Sequence, residues 1–152
     1  MPTAERYRAM RELIEAHPDF VDFAEFGQGI SEERIQEAEA LLGLRFPASY
    51  RWWLRQYGGG EVGGEEIYSL YPPVPGAIAA GDITFVHALD RAAGREPHHL
   101  AISHDDIDGV FTFDLSHPES DGEYPIFSMA TGRQYARDFL EFLEKRIRVR
   151  LD

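Results

Sequence analysis

Between Ala4 and Ala16 the apolar positions Tyr7, Met10, Leu13 and Ile14 fall on one side of a 3.6-residue repeat, which predicts an amphipathic helix. His17-Pro18 ends it, because the residue before proline avoids the α region. A second helix carries Ile35, Ala38, Leu41 and Leu42, with Ser31 as its N-cap, Glu32 and Glu33 in its first turn and Gly43 as its stop. A third opens at Pro47, places Tyr50, Trp53, Leu54 and Tyr57 on one face, and stops at Gly58-Gly59-Gly60. A short fourth runs from a cap at Asp82 through Phe85, Val86 and Leu89 to Gly94, and a last one spans 134–148 with Tyr135, Phe139, Phe142, Leu143 and Ile147 in period. Strands are predicted over 60–71, broken by Pro72, Pro73 and Pro75, and over His99–Ser103, Val110–Leu115 and Tyr124–Met129, with turn-rich segments between them. Phe20, Phe23 and Phe26 read as loop or 3₁₀ aromatics that cap the core. The pattern predicts an α+β fold: N-terminal helices and a C-terminal helix packed against a mainly antiparallel sheet of about four to six strands.

Composition narrows the picture. The chain has 152 residues, enough for one domain over 1–152 with its own core. It has no cysteine, which excludes disulfides, thiolate nucleophiles and Cys-ligated metal sites. The N-terminus lacks a secretory h-region and no apolar run reaches a membrane span, so a cytoplasmic protein without membrane attachment is expected. The formal net charge of −12 argues against nucleic acid and anionic membranes as partners and favours a basic protein partner or no charged partner at all. That charge is concentrated: residues 56–132 hold 13 acidic residues against only Arg91 and Arg95.

The stretch Ile30-Ser31-Glu32-Glu33-Arg34-Ile35 through Glu39, followed by Leu42-Gly43, Phe46-Pro47-Ala48-Ser49-Tyr50-Arg51, Trp53-Leu54 and Gly59-Gly60, resembles the SUKH superfamily. So do Phe113-Asp114-Leu115, Gly122 through Ile126 and Phe139-Leu140-Glu141-Phe142-Leu143, so that the resemblance covers 28–147. The chain departs from the family pattern at Gly58, where Asn is usual, and at Phe46, where Leu is usual. The resemblance implies a protein-binding module. Bacterial members commonly act as immunity proteins that bind and block a toxin domain, often a nuclease, and others serve as regulatory or scaffolding domains.

Motifs for other chemistry do not survive their context. Gly58-Gly59-Gly60-Glu61-Val62-Gly63 is a literal G-x-G-x-x-G, but it follows a helix and enters a strand, the reverse of a dinucleotide site. His98, His99 and His104 lie near Asp105, Asp106 and Asp108, yet an EF-hand register puts Leu115 where the bidentate Glu belongs. His98 and His99 in a strand would point to opposite faces. No carboxylate pair stands out as an acid–base dyad, and Ser103 beside His104 is not by itself a catalytic pair. No catalytic residue, cofactor or metal is therefore expected, and an enzyme is the remote reading.

Two features point to binding. The first is the acidic set Glu61, Glu65, Glu66, Asp105, Asp106, Asp108, Glu119, Asp121 and Glu123, either a solvated surface or a patch that imitates phosphate for a basic nuclease toxin. The second is Trp52, which at about 100° per residue points away from the apolar face of the third helix. It is either covered by the N-terminal helix or the Phe20–Phe26 stretch, or exposed as an anchor for a partner.

Overall fold

The protein is described by a computed structural model that covers residues 2–71, 81–119 and 121–151; the expected proline break at 72–75 lies outside the described residues. The chain forms α1 (Ala4–Ala16), β1 (Val21–Phe23), α2 (Glu32–Leu42), α3 (Ala48–Tyr57), β2 (Gly60–Val62), β3 (Glu65–Ile67), α4 (Ile83–Ala92), β4 (His99–Asp105), β5 (Gly109–Asp114), β6 (Ile126–Ser128), β7 (Gln134–Ala136) and α5 (Phe139–Arg148). The seven strands make one antiparallel sheet in sequential order, β1 to β7. The α+β expectation holds, with more strands than the pattern suggested.

The helix ends follow from their caps. Thr3, Ser31, Asp82 and Asp138 each accept a backbone N–H of the following turn through the side chain. Gly43 and Gly58 close α2 and α3 in the left-handed region, at φ 71° and 76°, where a side chain would be strained. Gly58 therefore serves in place of the family's Asn.

Three elements differ from the pattern reading. The segment over 60–71 is not one strand: Gly63 and Gly64, both at positive φ, turn it into the β2–β3 hairpin. The Phe20–Phe26 stretch contains β1, which pairs with β2. The last helix starts at Phe139 instead of 134, because Gln134–Ala136 pairs with β6 as the edge strand and Asp138 then caps the helix.

The core lies between the helices and the sheet. Tyr50, Trp53 and Leu54 of α3 are fully buried, as are Phe139, Phe142 and Leu143 of α5 and Phe111 and Phe113 of β5. The Tyr50 ring meets Phe46, Phe113 and Phe139 edge-on at 5.1, 5.8 and 5.1 Å, a geometry that adds to simple area burial. α5 packs on α1 and α3, while α4 packs on β4 and α2.

Candidate functional site

The hairpin and the β4–β5 turn gather part of the acidic set. Glu65, Glu66, Asp105 and Asp106, with Tyr68 and His104, line a cleft of about 460 Å³. Within it the carboxylates divide by role. Arg146 of α5 is buried and places Nη2 2.9 Å from both Glu65 and Asp105. Arg150 also donates to Glu65. Asp105 is buried as well, and its Oδ1 accepts the backbone N–H groups of Ile107 and Asp108, which fixes the turn. Burial lowers the guanidinium pKa of Arg146, but the Tyr135 hydroxyl and Glu65 outweigh it and hold the group above its ordinary value. Glu65 and Asp105 are therefore compensated within the chain, whereas Asp106 is exposed and has no side-chain partner among the described residues.

The exposed face of the first three strands carries an arrangement without such compensation. Asp22 stands opposite Glu61, and Glu61 stands opposite Glu66, so three exposed carboxylates form one row across β1, β2 and β3. Like charges directly opposite one another destabilise a sheet. Glu66 accepts a hydrogen bond from the Tyr71 hydroxyl at 2.8 Å. Among the described residues, Asp22 and Glu61 have no hydrogen bond or ion pair through their side chains. Asp22 escapes sequence reasoning because a three-residue strand shows no usable alternation; the Gly63-Gly64 hairpin signal exposes the Glu61–Glu66 pairing.

Glu119, Asp121 and Glu123 lie elsewhere, around a separate cleft of about 320 Å³ with Arg6, Arg137 and Asp138. Glu123 is almost fully buried at the base of that cleft: it is 1 % exposed and accepts from the Ser49 hydroxyl and, at 3.0 Å, from the Ser49 backbone N–H. It supplies the cap that Pro47 cannot give to α3. Burial pushes its carboxyl above the usual range against those two bonds, with Asp138 and Asp121 adding to the rise. Asp121 accepts the Glu123 N–H at 3.1 Å, and Glu119 is exposed. Asp108 is half-buried beside the β4–β5 turn. The nine residues are thus not one patch: Glu65, Asp105 and Glu123 are structural, and the rest divide between two regions.

Trp52 is half-buried. Its ring lies 4.9 Å from Tyr7 of α1 and 5.8 Å from Tyr57, so the N-terminal helix covers much of it. Its remaining surface lines a cleft of about 570 Å³ together with Tyr7, Arg45, Phe46, Arg51 and Tyr124.

The glycine motif follows α3 and enters β2, the reverse of a pyrophosphate cradle, as the pattern indicated. The histidines depart from expectation. His98 precedes β4 in a turn, so strand alternation does not separate it from His99, and the two rings lie 4.3 Å apart. His104 lies near the other end of β4.

The fold and surface define an α+β domain built on an antiparallel meander, with an uncompensated acidic row on its N-terminal strands. Residues 29–145 match the model of the SMI1 / KNR4 family (SUKH-1), and the chain belongs to that family. The positions that carry the resemblance are framework: Gly43 and Pro47 bound helices, and Tyr50, Leu54 and Phe139 are buried. No curated protein matches the chain. Among the described residues no helix is long and apolar enough to cross a membrane.

Proposed function

We propose that this chain is a SUKH-type immunity protein: it neutralises a cognate bacterial toxin, a basic nuclease domain, by stoichiometric binding in the cytoplasm and without catalysis. Membership of the SMI1 / KNR4 family supports a protein-binding role. The observation that carries the particular reading is the row Asp22, Glu61 and Glu66 on one exposed sheet face. A monomer gains nothing from three facing carboxylates, two of them without a partner among the described residues. A basic partner removes their mutual repulsion on binding, and the field they project accelerates its approach. Asp106 and Glu66 extend the same negative surface into the adjoining cleft.

The test is association with the toxin domain encoded beside the gene, measured at low and high salt for the wild type and for E61K/E66K. The expected result is an association rate that falls with salt and drops about tenfold or more in the variant. An affinity that is the same at both salt concentrations would remove the acidic row from the interface. Failure of the wild type to protect cells against every adjacent toxin domain would remove the immunity function.

A further inference from the structure

The turn that leads into β4 brings three metal-binding side chains together outside the acidic cleft. Glu96, His98 and His99 each offer one donor atom, and these atoms all lie within 4.8 Å of one another. His98 Nε2 already lies 3.0 Å from Glu96 Oε2. Glu96 is exposed and both imidazoles are half-buried, so the group is reachable from solvent and partly held by the fold. The His99 ring is fixed by its place in β4, and its Nδ1 lies 3.5 Å from the Thr112 hydroxyl. The nearby Asp114 is engaged elsewhere: it accepts from Ser116 and lies 3.0 Å from His117 Nδ1.

We propose that Glu96, His98 and His99 form a binding site for a divalent transition-metal ion, Zn²⁺ in chemical class. Two imidazoles and one carboxylate suit zinc and disfavour Mg²⁺ or Ca²⁺, which want oxygen donors. Tetrahedral zinc, with bonds of about 2.0–2.1 Å, sets its donors about 3.3 Å apart. The Glu96–His98 pair is already near that separation, at 3.0 Å. All three donor atoms already lie within 4.8 Å of one another, so side-chain rotations alone would close the set. Three protein donors leave one position open for water or for a donor from another molecule. The site lies apart from the acidic cleft: β4 separates His99 from Asp105 by about 20 Å at 3.3 Å per residue.

Titration of the full chain with Zn²⁺ in a calorimeter tests this, with H98A, H99A and E96Q as ligand variants, H117A as a neighbouring control and Mg²⁺ as a second probe. Far-ultraviolet circular dichroism confirms that each variant is folded. The expected result is one saturable Zn²⁺ per wild-type chain, no Mg²⁺ binding, and affinity lower by about tenfold or more in each ligand variant, since even groups that only support a ligand cost that much. H117A binds like the wild type. Absence of saturable Zn²⁺ binding, wild-type affinity in H98A or H99A, or a loss in H117A as large as in H98A would each overturn the assignment.

Discussion

Glu123 is almost wholly enclosed, and Ser49 donates to both of its carboxylate oxygens. Its pKa is raised, so the folded chain keeps a proton that the unfolded chain has released over a window above the ordinary carboxylate value. In that window the native state binds more protons, and stability falls as pH rises. E123Q carries no charge and keeps an acceptor for the Ser49 N–H. It is expected to abolish this component of the pH dependence, so that the variant gains on the wild type as pH rises above the ordinary carboxylate value. E123A leaves the Ser49 N–H and hydroxyl unpaired inside the protein and is expected to cost about 1–3 kcal/mol. Denaturant unfolding of the three proteins across that range measures both effects. If the curves of E123Q and wild type run parallel, the buried charge is not what strains the site.

At the scale of elements, α5 holds the acidic hairpin to the rest of the fold. Asp138 opens the helix, accepting from the Glu141 N–H at 2.9 Å and from both Arg6 nitrogens at 2.7 and 2.9 Å. Burial pushes the Asp138 carboxyl up, but the Arg6 and Glu141 bonds prevail and hold it below the usual range. Near the other end of the helix, Arg146 bridges Glu65 of β3 and Asp105 of β4. Removing one partner from a buried ion pair strands the other, so R146M is expected to lose about 3–5 kcal/mol while R146K, which keeps the charge, loses less. Urea unfolding measures this, and a loss in R146M no larger than in R146K would show that charge pairing at this position is unimportant. The helices were legible in the sequence because their signals are local: Ser31, Asp82, Gly43 and Gly58 each act within a few residues of the end they define. Asp138 followed by Glu141 carried the same kind of signal for the true start of α5, and the apolar period running back through Tyr135 masked it. β1 and β7 are three residues each, too short to show alternation, and take their conformation from the strands they pair with. The division of the acidic set was illegible for a related reason. Arg146 lies 81 residues from Glu65, and Ser49 lies 74 from Glu123, so only the tertiary fold decides which carboxylates are neutralised.

For the whole molecule, the net charge of −12 becomes a matter of where charge is left uncompensated. The fold spends the cations of α5 and the C-terminal turn on Glu65 and Asp105 and leaves Asp22 and Glu61 facing each other on adjacent strands. Lysine at position 61 would lie between Asp22 and Glu66, and it would replace two repulsions with two attractions. Each such cross-strand pair is worth roughly 0.2–1 kcal/mol, so E61K is expected to stabilise the free chain by about 0.5–2 kcal/mol. For a domain of this size that corresponds to a rise in melting temperature of about 1–8 °C. The gain should shrink as salt is added, because the row is exposed and screened. The same substitution should slow association with a basic toxin domain. A protein that becomes more stable and binds more slowly from one exchange carries its repulsion for the sake of the partner. Thermal melts at two salt concentrations, read beside association rates, distinguish the cases. If E61K lowers the melting temperature, the row is not a source of strain. If it raises the melting temperature and leaves association untouched, the row is strained but lies outside the interface.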